Sequence, residues 1–152
     1  MATKGIECMF QLDPRLDADT VFINALPLCD LRLMLDANYP WLVLIPRVAG
    51  ITELYELADK DYSQFALESR VLSALMSTHF VADKMNIAAL GNVVSQLHIH
   101  HIVRYEKDAA WPNPIWGAVA QKSYSPDELE VTLNSLKALI VTNQTAFKGG
   151  YE

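Results

Sequence analysis

Val93-Val94-Ser95-Gln96-Leu97-His98-Ile99-His100-His101-Ile102-Val103-Arg104-Tyr105 is the stretch on which the reading of this chain turns. Polar and apolar residues alternate from Gln96 to His100, the period-two pattern of a strand whose two faces meet different surroundings. Gln96, His98, His100, Ile102 and Arg104 then share one face, and Leu97, Ile99, His101, Val103 and Tyr105 the other. The first face is mainly polar and the second mainly apolar. Its two imidazoles stand about 6.6–6.8 Å apart along the strand, with an amide at the same spacing before them.

Upstream, Gly91-Asn92 reads as a tight connection from a strand over residues 84–90 (KMNIAAL), so 84–90 and 93–105 are expected to pair. Earlier still, Val21 to Ala25 is a short β-branched and aromatic run closed by Pro27. Residues 29–36 alternate, with Leu31, Leu33 and Leu35 opposite Asp30, Arg32 and Met34. Asp36-Ala37-Asn38-Tyr39-Pro40 is a turn signal, and the apolar run Trp41 to Ile45, stopped by Pro46, reads as a central antiparallel strand. A helix is expected over about residues 61–80, with Leu67, Val71 and Leu75 as its stripe and Leu72 and Met76 beside them. A second begins at Ser125-Pro126-Asp127-Glu128, where Ser and Glu form a capping box, and buries Leu129, Leu133, Leu136 and Ile140.

Three strands, a helix, two strands and a helix make an α+β domain: a roughly five-stranded antiparallel sheet with two main helices on one face. The 152 residues suit one domain, and no repeat or linker divides residues 1–152. Such a sheet leaves two edges, which invites pairing with a second copy.

A net charge of -6 with no Lys/Arg run argues against binding nucleic acid by bulk electrostatics, while a small anion needs only a local cluster of donors. Cys8 and Cys29 could form one bridge at most and are expected to be reduced thiols. The N-terminus lacks the apolar core of a signal peptide, and no run approaches the ~18–20 apolar residues of a membrane span. A cytoplasmic protein without membrane contact is expected.

Histidine side chains titrate near neutrality, so one ring is partly neutral and nucleophilic while a neighbour can be held protonated by an anion. Phosphoryl chemistry uses both. One imidazole attacks phosphorus if its other nitrogen donates a hydrogen bond that fixes the tautomer, and the second donates to a non-bridging oxygen.

The stretch from Gly91 to Arg104 resembles the histidine triad (HIT) superfamily of nucleotide hydrolases and transferases, whose signature is His-φ-His-φ-His-φ-φ with φ apolar. The order of elements over roughly residues 20–105 fits the same family, with 106–152 adding a loop and the C-terminal helix. The resemblance implies a nucleotidyl-imidazole intermediate formed at the α-phosphorus by His98, which matches the middle histidine, with His100, matching the third, on the phosphate. Gln96 stands where the first histidine usually is, a departure that touches proton handling at the leaving group. The resemblance also implies that Asn92 orders the loop facing the phosphates, that Asn86 supplies an amide contact to phosphate, and that Asp36 lies against the ribose. Residues 108–117, rich in Trp and Pro, are similar to one bacterial branch of the superfamily, and Trp116 there would stack on the base. A homodimer and a nucleotide of the dinucleoside polyphosphate or phosphoramidate kind are what the family implies. No cofactor and no metal site is expected.

Plainer readings stand beside these. His101 lies on the apolar face and suits packing or a subunit contact; His79, near a helix C-terminus, suits a dipole-compatible surface position. Trp116 competes with plain packing, and Asp36 and Asn38 with simple turn formation. Two other functions remain open. One is a nucleotide-binding module without turnover, motivated by Gln96; the other is a metal-dependent enzyme using His98, His100 or His101 with a distant carboxylate. Residues 100 and 101 point apart on a strand, which opposes all three sharing one ion.

Overall fold

The computed structural model describes residues 8–149. A short helix α1 (Pro14–Asp19) leads into β1 (Thr20–Ala25), β2 (Cys29–Met34) and β3 (Trp41–Pro46). A long helix α2 (Asp59–His79) follows, then β4 (Lys84–Ala88), β5 (Ile99–Arg104) and α3 (Pro126–Thr142). All pairings are antiparallel, in the order β1-β2-β3-β5-β4. This is the expected α+β architecture, with β3 and β5 central and β1 and β4 at the edges.

Side-chain alternation divides the sheet between two apolar clusters. Leu31, Leu33, Leu42, Leu44, Ile99 and Val103 face α2 and α3, joined there by Leu72, Met76, Leu136 and Ile140. Trp41, Val43, Ile45 and Ile102 face the other way, onto Leu16 of α1, Tyr39, Ala110 and Ile115. The second layer is built from a loop and a six-residue helix, so it leaves room for a cleft.

α1 is absent from the sequence expectation although its start is signalled. Asp13 caps it by accepting from the Arg15 amide at 2.8 Å, and Pro14 fills the first turn. Its brevity hid it, because six residues carry too few apolar positions to register a period. Leu16 packs into the second cluster, and Asp17 pairs with the buried Arg32 at 2.7 Å.

The face of α2 also differs from expectation. Phe65, Glu68, Ser69, Leu72 and Met76 are buried, whereas Val71 and Leu75 are only partly covered. Two polar residues sit on the inward face because each has a partner. The Glu68 carboxylate accepts from the amides of Leu28 at 2.6 Å and Cys29 at 3.0 Å, and Ser69 bonds His101. The Cys29 thiol, free and buried beside that carboxylate, is pushed up in pKa by burial and then by Glu68. For α3 the capping box is present as read, with Leu136 and Ile140 buried.

Candidate active site

β5 begins at Ile99, not at residue 93; residues 89–98 form an irregular connection. The positive φ of Gly91, 67°, turns the chain there, and no ladder bond constrains the backbone up to residue 98. The face assignment nevertheless holds for the histidines. His98 and His100 lie against each other, ring centroids 5.0 Å apart and nearly perpendicular, while His101 turns to the α2 side. Both cleft rings are largely covered, at 8% and 5% exposure.

Hydrogen bonds fix what each ring offers. Nδ1 of His98 is 2.7 Å from the Gln96 carbonyl oxygen, which can only accept, so Nδ1 carries the proton and Nε2 keeps its lone pair. Nδ1 of His100 is 2.9 Å from the indole nitrogen of Trp41, which can only donate, so the His100 proton sits on Nε2. One ring thus presents a nucleophile and its neighbour a donor. Burial, then the adjacent His98 and His101, push the His100 pKa down to about 3. His100 is therefore a neutral donor, not the protonated partner expected from sequence, since a cation there would lose the bond from Trp41 and face two other imidazoles.

Trp41 can reach His100 because of register. Val43 pairs with His100 across β3 and β5, and Trp41 is its diagonal neighbour on the same face. Trp116 closes the cluster, its ring 5.2 Å from His100 and 6.0 Å from Trp41, edge to face in both contacts. It remains 38% exposed and lines the cleft.

The cleft has a volume of about 500 Å³. Its walls include His98, His100, Trp41, Trp116, the Gly91-Asn92 turn, and Arg15 and Asp19 from α1. A larger groove of about 780 Å³ lies at the exposed start of α2, lined by residues such as Pro27, Lys60 and Gln64 without a histidine or cysteine. Size favours that groove, but chemistry favours the cleft, where two oriented imidazoles converge.

Not every residue singled out from sequence arrives there. Asn92 and Trp116 line the cleft with the two histidines. Gln96 instead accepts from the Asp13 amide at 2.9 Å and donates to the Gln11 carbonyl at 2.7 Å, so its amide is spent on the N-terminal segment. Asn86, on β4 opposite Ile102, accepts from Arg104 at 2.8 Å. Asp36 is a turn former, accepting from the Asn38 amide at 3.0 Å and bonding the Lys122 amide. None of these three side chains reaches the cleft, because each satisfies backbone or guanidinium donors that would otherwise go unpaired.

Arg104 anchors the loop that carries Trp116. It is buried, paired twice with Asp108, and bonded to the Asn113 carbonyl, with Trp111 stacked 5.6 Å from its guanidinium carbon. Burial raises the Asp108 pKa, but the Arg104 bond and the amides of Tyr105 and Ala110 outweigh it and hold the carboxyl down at about 2. The sequence reading gives no site role to Trp41, Arg15 or the Arg104–Asp108 pair. Only Trp41 carried a usable signal, a lone indole at the start of the central apolar strand.

His101, buried, donates from Nδ1 to the Ile99 carbonyl and accepts from the Ser69 hydroxyl at 2.7 Å. Among the described residues no group of three His, Cys, Asp or Glu side chains is gathered closely enough to hold a metal ion. No helix among them is long and apolar enough to cross a membrane.

The family described as the HIT domain matches residues 15–107. A histidine triad protein from Marinobacter aquaeolei VT8 is 46% identical, the match covering 89% of this chain and 98% of that one with a TM-score of 0.86. A histidine triad protein from Bradyrhizobium japonicum is 38% identical over 88% of this chain and 99% of that one, at a TM-score of 0.84. The Plasmodium falciparum diadenosine triphosphate hydrolase, at 16% identity, shares the fold: 95% of this chain, 89% of that one, TM-score 0.62. No curated protein matches the chain.

Proposed function

The chain belongs to the HIT domain family, and on that premise we propose that it is a nucleotide hydrolase or transferase acting at an α-phosphate through a nucleotidyl group carried on His98. The observation that carries this reading is the pair of oppositely fixed tautomers. Nε2 of His98 attacks phosphorus; the new P–N bond forms as the bond from phosphorus to the leaving atom breaks, an oxygen in a polyphosphate or a nitrogen in a phosphoramidate, and that atom departs with the electron pair, the nitrogen taking up a proton. The resulting imidazolium keeps its Nδ1 proton on the Gln96 carbonyl. Water then attacks phosphorus as the P–N bond breaks, passing its proton to solvent, and releases a nucleoside monophosphate and the neutral ring; with another acceptor the product is the nucleotidylated acceptor instead.

His100 donates from Nε2 to a non-bridging oxygen, where charge builds during transfer. Asn92 faces the phosphates from the glycine turn, and Trp116 offers its exposed face to the base. Dinucleoside polyphosphates and nucleoside phosphoramidates are the substrate classes, and the protein works in the cytoplasm as a homodimer. Sedimentation at micromolar concentration tests the dimer, with a monomer as the contrary result.

A steady-state panel of diadenosine polyphosphates and adenosine phosphoramidate tests the activity. Wild type turns over at least one member and His98→Ala none; a wild type that hydrolyses no member refutes it. A binding module without turnover is the second reading, favoured by the occupied amide of Gln96. It predicts AMP binding with no hydrolysis on the same panel.

A further inference from the structure

Among the described residues, Arg15 is the one Lys or Arg lining the cleft, on the wall formed by α1. Among the described residues its guanidinium joins no ion pair, although Arg32, Arg47 and Arg104 each do. The segment that delivers it is held from both sides. Asp13 caps the helix through the Arg15 amide, and Gln96 grips the chain just before it through the Gln11 carbonyl and the Asp13 amide. Leu16, the next residue, is buried and lines the cleft itself.

Gln96 is two residues from His98, and its carbonyl fixes the His98 tautomer while its side chain fixes α1. One residue therefore bonds both the nucleophile's ring and the segment that carries Arg15. With its amide engaged in this way, residue 96 supplies no acid to the leaving atom. That matters differently for two kinds of leaving group. An amine leaving from a phosphoramidate must be protonated as it departs, whereas a phosphate leaves as an anion and needs a neighbouring positive charge.

We infer that α1 forms a leaving-group subsite in which Arg15 binds a departing phosphate and Gln96 is the positioning residue that holds Arg15 there. This rests on the nucleotidyl-histidine reading above and specifies its substrate class: nucleotides whose leaving group bears phosphate. Asp19, one turn along α1 and also on the wall, is the opposing charge.

The test compares kcat/KM on diadenosine tetraphosphate with that on adenosine phosphoramidate. Wild type favours the tetraphosphate. Arg15→Ala cuts the tetraphosphate value by about 10–100-fold, the loss of one charge-assisted contact, and the phosphoramidate value by a much smaller factor; Arg15→Lys recovers part of it. Gln96→Ala narrows the same ratio, and the double variant is no worse than the poorer single one, as coupled residues require. Weaker inhibition of Arg15→Ala than of wild type by inorganic tripolyphosphate, with phosphoramidate as substrate, supplies a readout independent of the leaving step. Equal losses on both substrates, or a wild type that favours the phosphoramidate, overturn the inference. A His98 adduct that still forms while those ratios stay flat sinks the subsite alone; no adduct from any nucleotide sinks the reading beneath it.

Discussion

Replacing Trp41 with Phe removes a single hydrogen-bond donor from the floor of the cleft while keeping an aromatic ring. The indole N–H lies 2.9 Å from Nδ1 of His100, and both rings are buried. Losing it leaves Nδ1 without a donor, a cost of about 1–3 kcal/mol in stability, or a Tm lower by roughly 2–12 °C for a chain of this size. The catalytic effect has two parts. A tautomer bias of about 1.4 kcal/mol is tenfold, so abolishing it lowers the Nε2–H fraction from about 90% to about 50% and costs only about twofold in rate. The larger part is aim, because an imidazole free to rotate is a poorer donor to the phosphate oxygen; complete loss of such a donor costs about 10²–10³. Trp41→Phe is expected between these limits, at roughly tenfold in kcat with KM changed less than threefold. Long-range ¹H–¹⁵N spectra of the imidazoles read the tautomer directly, and steady-state rates read the aim. A variant that keeps His100 wholly in the Nε2–H form with turnover within twofold of wild type refutes the role given to the indole.

His101, its pKa pushed down to about 4 by burial, stays neutral in the fold while it charges near pH 6.5 in the unfolded chain. The unfolded state binds more protons below pH 6.5, so stability is full above that pH and falls as pH drops toward 4, by about 3 kcal/mol for this one group. Urea titrations at pH 7 and pH 4 should show a smaller drop for His101→Gln than for wild type; equal drops would contradict it. Asp108→Ala strands the buried Arg104 charge and should cost about 3–5 kcal/mol, with faster proteolysis within residues 106–117; a cost under about 1 kcal/mol would mean the pair does not hold the loop. Turnover should survive exhaustive chelation, because His101 lies on the opposite face and only two imidazoles converge; loss of activity restored by added zinc would favour the metal-dependent reading.

Periodicity made most of the sheet legible. Alternation in residues 29–36 and 99–104 survives burial on both faces because the side-chain period of a strand is fixed by its backbone. The same rule extended β5 too far. Gln96-Leu97-His98 continues the alternation in sequence, yet a positive-φ glycine and side-chain bonds to the N-terminal segment keep the chain off the ladder through His98. The face of α2 was misjudged because Glu68 and Ser69 are buried polar residues, whose cover depends on partners remote in sequence. The two histidines of the cleft were visible from spacing and resemblance. Gln96, Asn86 and Asp36 were not separable from structural roles, since an amide or carboxylate looks the same whether it meets a phosphate or a backbone N–H. Arg15 and Trp41 join the site only through tertiary placement, one by a short helix folding back and the other by a diagonal across two strands.

Rapid quenching of the wild-type protein during turnover of a diadenosine polyphosphate, followed by intact-mass analysis and peptide mapping, addresses the covalent step itself. A transient species carrying one nucleoside monophosphate, located on His98, labile to acid and missing in His98→Ala, is the expected result. Turnover with no adduct at any quench time, or an adduct on a different side chain, would contradict the account.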